Sequence, residues 1–252
     1  MRSRCPCLRR KFLSSSLLAG LVLALGLAAA AAAGEVVTYA TGQYVLRGML
    51  CKPEAAGPFP AVVYNHGGDV IRNRGRTTVL IGGSPDETCA ALAKAGFVGF
   101  SPIRRPTDVT SPGHLDDVLA AVDYVAALPY VDRGRLGIMG FSSGGMMTYR
   151  AAVKRGGFKA VIIMAPSRGI DGDSSAIGAP ILLLVAKNDT GSDKTKGHDT
   201  LALMQSLAAQ WKQADRDVSY IEYPPYGNDG HTMFFEVGSY WPDVVNFLKA
   251  HL

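Results

Sequence analysis

The sequence predicts an α/β fold in which a mainly parallel, doubly wound sheet is covered by helices on both faces. Segments with strand character alternate along the chain with segments of helical periodicity. Most strand segments are continuously apolar, which is typical of strands buried on both faces. The chain has 252 residues and a hydrophobic content of 48%, enough for one large domain of this kind. Ligands of parallel sheets bind where the strands end, so residues that follow strands are the first site candidates.

The predicted elements begin with an antiparallel pair. Residues 35–40 and 44–51 alternate apolar and polar side chains and flank the turn Thr41-Gly42. The further elements, in chain order, are strand 61–65, helix 84–95, strand 97–102, helix 115–125, strand 136–139, helix 146–154, strands 160–164 and 181–186, helix 201–211, strand 218–223 and helix 240–248. The connection at 165–178 is too short for a large lid domain.

Residues 1–33 predict an export signal, and residues 34–252 a single domain. A basic start is followed by an apolar stretch and an alanine run that ends at Ala33, the pattern of a cleaved secretory signal. Arg9-Arg10-Lys11-Phe12-Leu13 resembles a twin-arginine signal, with the ordinary secretory route as its alternative. An uncleaved anchor is a third interpretation, but the stretch is short and rich in alanine. We expect a periplasmic or secreted protein without stable membrane association after cleavage.

The formal charge of +5 does not indicate nucleic-acid binding. Residues 1–33 hold five basic residues and no acid. Subtracting those five from the 26 basic residues leaves 21, which equals the 21 acidic residues. No basic stripe remains for a phosphate backbone, so nucleic acid is excluded as a partner.

The four cysteines give no metal-binding pattern. Cys5 and Cys7 lie in the predicted signal, while Cys51 and Cys89 remain in the mature chain. An exported protein permits a disulfide between them, and two buried thiols are the alternative. There is no C-x-x-C motif and no His/Cys spacing suited to zinc, so the sequence predicts neither a metal nor another cofactor.

The segment Gly140-Phe141-Ser142-Ser143-Gly144-Gly145 carries the strongest chemical signal. It has the spacing G-x-S-x-G, with an apolar run before it and a helix-compatible run after it. A nucleophile elbow needs such a strand, tight turn and helix. With 29 glycines in the chain, an ordinary turn is the alternative. The context favours Ser142 as a nucleophile.

A serine nucleophile needs a base, and the base needs an orienting acid. His231 lies in a turn-rich loop after the last predicted strand and is the candidate base. Asp189 stands three residues after strand 181–186 and is the candidate acid, with Asp193 as its alternative. The chain order serine, aspartate, histidine is the order expected with this elbow.

The oxyanion of an acyl-transfer intermediate needs two backbone N–H donors. Ser143, directly after the nucleophile, supplies the first candidate. The second is Gly68 in the loop that follows strand 61–65, with Gly67 and Asp69 as alternatives. Arg104 and Arg105 follow strand 97–102 and could meet a substrate carboxylate, but exposed arginines are the simpler interpretation.

Together, Asn65-His66-Gly67-Gly68, the elbow, Asp189 and Gly230-His231 resemble the α/β-hydrolase superfamily. Leu128-Pro129-Tyr130-Val131-Asp132 is similar to its dienelactone hydrolase and prolyl-oligopeptidase-like branches. The resemblance spans roughly residues 35–252 and implies a Ser-His-Asp acyl hydrolase of α/β-hydrolase fold, with little or no lid and no cofactor. True dienelactone hydrolases carry a cysteine at the elbow, so Ser142 points instead to general ester hydrolysis.

The sequence therefore predicts a serine hydrolase that cleaves small or medium acyl esters, of the carboxylesterase or lactonase type. The partner is a small-molecule ester. Two alternatives stay open: a peptidase or amidase of the prolyl-oligopeptidase type, and a non-catalytic binding module on the same fold.

Overall fold

The computed structural model describes residues 1, 34–73, 76–107, 112–171 and 173–252. The predicted signal at 2–33 therefore lies outside the described residues. The strands are β1 Glu35–Thr41, β2 Tyr44–Cys51, β3 Phe59–Asn65, β4 Gly67–Asn73, β5 Arg76–Gly82, β6 Val98–Ile103, β7 Val131–Phe141, β8 Ala160–Met164, β9 Ile181–Ala186 and β10 Val218–Tyr223. The helices are α1 Pro85–Lys94, α2 Gly113–Ala126, α3 Ser143–Arg155, α4 Thr200–Gln213 and α5 Trp241–His251, with a short 3-10 helix at Gly230–Phe234.

Eight strands form one sheet in the order β1-β2-β6-β3-β7-β8-β9-β10. The pairs β1–β2 and β2–β6 are antiparallel, and all further neighbours from β6 to β10 are parallel. Every residue of β8 and β9 is buried, which explains their continuously apolar sequences. The predicted mainly parallel α/β sheet is confirmed.

Helices cover both faces of this sheet. On one face, α2, α3 and α4 contribute Val118, Met147 and Trp211 to the larger apolar cluster. On the other face, α1 and α5 contribute Leu92 and Leu248 to a second cluster. The sheet separates the two clusters, so its central strands lie between two layers of buried apolar side chains.

The hairpin of β4 and β5 was not predicted from the sequence. These strands pair only with each other, from Gly67↔Gly82 to Asn73↔Arg76, outside the main sheet. Gly67 and Gly68, which the sequence assigned to a loop, begin β4 instead. The prediction failed because the sequence of this segment shows no regular alternation of apolar and polar residues.

Cys51 and Cys89 form a disulfide, which settles the alternative left open by the sequence. Cys51 ends β2 and Cys89 lies in α1, with 5.5 Å between their Cα atoms. The bond ties the antiparallel edge of the sheet to the helix that covers it.

The described residues between β8 and β9, namely 165–171 and 173–180, contain no helix or strand. This agrees with the absence of a large lid that the short connection predicts. Within the described parts of the chain, no helix is both long enough and apolar enough to span a bilayer.

Candidate active site

Ser142, His231 and Asp189 form a hydrogen-bonded chain at the carboxyl edge of the sheet. His231 Nε2 lies 3.1 Å from Ser142 Oγ, and His231 Nδ1 lies 2.9 Å from Asp189 Oδ2. Both His231 and Asp189 are buried, at 3% and 1% exposure, while Ser142 is partly exposed. The Ser142 hydroxyl can thus meet a ligand while its two partners are shielded from water.

The elbow holds Ser142 in a backbone conformation that non-glycine residues rarely adopt, with φ at 56°. Its N–H donates to the Met164 carbonyl at 3.0 Å, and its carbonyl accepts from Met146 and Ser167. A Cβ at Gly144 would lie only 1.9 Å from the Asn65 oxygen. The second glycine of the motif is therefore required by backbone packing against the end of β3.

The 3-10 helix Gly230–Phe234 fixes the histidine. The Asp229 carboxylate accepts the His231 backbone N–H at 3.1 Å and so caps this helix. The Phe141 ring lies against the imidazole, with 4.8 Å between ring centroids. Gly230 packs so closely on the loop after β9 that a Cβ there would lie 2.7 Å from Asp189 N. The histidine loop and the aspartate loop are thus held against each other.

The structure distinguishes the two candidate acids. Asp189 contacts His231 directly, whereas the Asp193 side chain is exposed. The Asp189 backbone N–H donates to the Ala186 carbonyl at 3.1 Å, and its own carbonyl accepts from Leu201 at the start of α4. The loop after β9 therefore aims the first of the two carboxylates at the imidazole.

Ser143 and Gly68, the two candidate oxyanion donors, lie side by side. The Ser143 hydroxyl donates to the Gly68 carbonyl at 2.8 Å. Ser143 begins α3, where backbone N–H groups point out of the helix and favour negative charge. Gly68 has φ at 113°, which favours glycine. The use of their N–H groups for an oxyanion remains a prediction.

The expectation that Arg104 and Arg105 are exposed was wrong for both: the Arg105 side chain is 12% exposed, and Arg104 is more deeply buried. Arg104 is 4% exposed, and its Nη2 donates to the His66 carbonyl at 2.8 Å. Arg105 is held by Asp117, whose carboxylate accepts from the Arg105 backbone N–H and from its Nε. Asp117 lies 12 residues from Arg105, inside the predicted helix, and gave no sequence signal for that pair.

Two histidines of this region are also buried. Burial, together with the charge of Arg104, lowers the pKa of His66 well below its ordinary value. His114 lies inside α2 at 3% exposure, and the same causes lower its pKa. Sequence reasoning missed both because their burial depends on how α2 and the end of β3 pack.

Four apolar side chains flank Ser142 and His231 in sequence, where they could either line a site for an acyl group or belong to the core. All four are buried within the two apolar clusters: Phe141, Met146, Met233 and Phe234. These side chains therefore belong to the core, and Phe141 also touches the imidazole. Among the described residues, no group of three or more His, Cys, Asp or Glu side chains could hold a metal ion.

The sheet topology and the site together show that the chain has the α/β-hydrolase fold, with Ser142 at the nucleophile elbow. The esterase of Pyrobaculum calidifontis superposes with a TM-score of 0.63 at 18% identity, over 86% of this chain and 83% of that one. Within that fold, residues 111–179, which include the elbow, match the model of the prolyl oligopeptidase family.

Two curated relatives match part of the chain. A bis(hydroxyethyl) terephthalate hydrolase of Streptomyces coelicolor is 36% identical over 104 residues, which is 39% of this chain and 33% of that protein. A gibberellin receptor of Oryza sativa subsp. japonica is 29% identical over 107 residues, covering 40% of this chain and 29% of the receptor. The chain thus spans about a third of the length of these relatives.

Proposed function

We propose that this protein is a serine hydrolase that cleaves ester bonds of small or medium acyl substrates, of the carboxylesterase or lactonase type. The observation that carries the proposal is the hydrogen-bonded chain from Ser142 through His231 to Asp189. A serine beside an imidazole that is itself held by a carboxylate is the arrangement that activates a hydroxyl at neutral pH.

Each residue has a role in the proposed reaction. His231 Nε2 takes the proton of Ser142 while Oγ attacks the ester carbonyl, and Asp189 stabilises the imidazolium that forms. The oxyanion of the tetrahedral intermediate accepts from the Ser143 and Gly68 N–H groups. His231 then gives the proton to the leaving alcohol. Water, activated by the same imidazole, releases the acid from the acyl-enzyme and restores Ser142.

The ester preference rests on two supports. The terephthalate hydrolase and the Pyrobaculum calidifontis esterase are named for the cleavage of esters. The elbow carries serine where true dienelactone hydrolases carry cysteine. The match to the prolyl oligopeptidase family favours a second candidate, a peptidase or amidase that uses the same three residues.

The receptor match raises a third candidate, a binding module without catalysis. Labelling with a fluorophosphonate probe separates it from the enzymatic proposals, because the probe needs an activated serine. We expect one label per chain, on Ser142, and none in Ser142→Ala. Ser175→Ala removes an exposed serine and should label like the wild type. Intact folded protein that fails to react contradicts both enzymatic candidates.

The ester and amide candidates differ in the bond they cleave. We expect a kcat/KM for p-nitrophenyl butyrate at least about 1,000-fold above that for matched p-nitroanilides, with Ser142→Ala as the blank. Comparable values for peptide anilides would instead support the peptidase candidate.

We further propose that residues 1–33 direct export and are removed near Ala33. The Cys51–Cys89 disulfide supports this, because structural disulfides persist in oxidising compartments. Intact mass of protein recovered from a bacterial periplasm should correspond to a chain beginning near Gly34. Retention of the full-length mass would contradict cleavage. Replacing Arg9 and Arg10 by lysine should block export only if the twin-arginine route is used.

A further inference from the structure

Arg104 occupies a position that electrostatics disfavours. It lies one residue beyond β6, next to the end of β3, with 4% of its surface exposed. Burial lowers its pKa to about 10, so it still carries a charge at neutral pH. Burying a guanidinium costs free energy unless it gains hydrogen bonds. The hydrogen-bond partners of the Arg104 guanidinium therefore indicate why it is buried.

The guanidinium does not obtain a dedicated carboxylate. Asp117 is the carboxylate whose charge acts on Arg104. This carboxylate is already hydrogen-bonded by the backbone N–H and the side chain of Arg105. Among the ion pairs between described residues, none includes Arg104. Its Nε and Nη1 also have no hydrogen-bond partner there. Its positive charge is thus not used to pair an acid.

Instead, one nitrogen of Arg104 contacts both segments that carry the candidate oxyanion donors. Nη2 donates to the His66 carbonyl at 2.8 Å and makes a longer, 3.4 Å contact with Ser143 Oγ. Ser143 Oγ in turn donates to the Gly68 carbonyl at 2.8 Å. One buried guanidinium therefore contacts both the residue before β4 and the first residue of α3. The Ser143 hydroxyl also joins α3 directly to Gly68, which lies 75 residues away in sequence.

We infer that Arg104 is a positioning residue that holds the two oxyanion donors, Ser143 N–H and Gly68 N–H, at the spacing that the tetrahedral intermediate requires. This inference rests on the proposed function. The guanidinium acts through His66 and Ser143 and does not touch the reacting atoms. Since preorganised donors act mainly in the transition state, its loss affects kcat and leaves substrate binding nearly unchanged.

The test compares Arg104→Met with the wild type, using kcat per active site titrated with a fluorophosphonate. We expect kcat to fall by about 10- to 100-fold, the effect of misplacing catalytic groups by a fraction of an ångström to about 1 Å. KM should change by less than about threefold, because ground-state contacts are kept. The inhibition constant of a boronic acid, which forms a tetrahedral adduct on Ser142, should rise by the same factor as kcat falls. Arg104→Lys, which keeps the charge and a donor, should recover part of the loss.

A surface arginine gives the matched control. Arg155 pairs with Asp123 on exposed helix surfaces, and Arg155→Met should leave kcat per titrated site and boronate inhibition unchanged. A merely structural Arg104 would lower the folded fraction without altering kcat per titrated site, and that result overturns the inference.

If Arg104→Met does not fold, Ser143→Ala decides the matter. It removes the bridging hydroxyl but keeps the Ser143 N–H, so a smaller loss confined to kcat is expected. An unchanged kcat in Ser143→Ala then overturns the inference. A wild-type protein that neither labels nor hydrolyses esters would refute the proposed function itself, which is a different result from unaltered variants of an active enzyme.

Discussion

Gly144→Ala adds one methyl group at the tightest point of the elbow. Its Cβ would lie 1.9 Å from the Asn65 carbonyl oxygen and 2.5 Å from that of His66. Since real Cβ atoms essentially never approach closer than 3.0 Å, the backbones must separate by at least 1.1 Å, the difference between 3.0 and 1.9 Å. Both obstacles are backbone atoms at the end of β3, so no side-chain rotation relieves the overlap.

Two effects should follow from this displacement. The free energy of unfolding should fall by about 3 kcal/mol, the upper end for overpacking, because rigid backbone must move. In addition, His66 lies two residues before Gly68, so displacing it should move the oxyanion donors apart. A shift of about 1 Å there should lower kcat per titrated site by about 100-fold. Urea unfolding and ester hydrolysis, normalised to fluorophosphonate labelling, measure the two effects separately.

Gly178→Ala is the matched control for this prediction. No atom of the described residues lies within 4 Å of a Cβ built at Gly178, and its φ is outside the left-handed region. The substitution should change neither stability nor kcat by more than a small amount. Wild-type stability and rate in Gly144→Ala, or equal damage in both variants, would refute the packing argument.

Three further predictions concern the acid, the disulfide and the buried histidine. Asp189→Asn should lower kcat by about 10,000-fold, because the imidazole loses the carboxylate that orients it. Asp193→Asn should leave kcat unchanged. Equal losses of kcat in the two variants, measured with an ester substrate, would contradict the assignment of Asp189. Replacing Cys51 and Cys89 by serine should cost about 4 kcal/mol of unfolding free energy in the chain-entropy treatment of a separation of 38 residues. Reducing agent should lower the urea midpoint of the wild type and leave that of the variant unmoved. Folding lowers the pKa of the buried His66 imidazole below its ordinary value of 6.5. Below pH 6.5 the unfolded chain therefore binds a proton at this residue that the folded chain does not bind. Stability should therefore be complete above pH 6.5 and fall below it by about 1.4 kcal/mol per pH unit for this group. His66→Asn, which keeps a donor for the Gly67 carbonyl, should flatten that slope in urea titrations between pH 5 and 8.

The elements that the sequence predicted well are those whose signal is local. The elbow is a strand, a turn and a helix within residues 131–155, and its glycines are constrained by packing between neighbouring segments. Strands such as β8 and β9 are buried on both faces, so their composition alone marks them. The parallel α/β architecture follows from the alternation of such strands with amphipathic helices.

The hairpin and the buried arginine had no comparable local signal. The strands β4 and β5 pair only with each other. Arg104 is a charged residue in a segment whose sequence predicts an exposed side chain. Its burial depends on β6 and β3 being neighbours in the sheet, a relation between distant parts of the chain. Composition could not distinguish a buried guanidinium from an exposed one.

The sequence by itself determined the fold class, the elbow and the chain order of Ser142, Asp189 and His231. Those features depend on periodicity and on short motifs, which a linear chain displays directly. Only the tertiary structure decided that Asp189 and not Asp193 meets the imidazole, that Cys51 pairs with Cys89, and that Ser143 contacts Gly68. Each of these is a contact of a few ångströms between loops and strand ends whose paths are set by packing of the whole sheet.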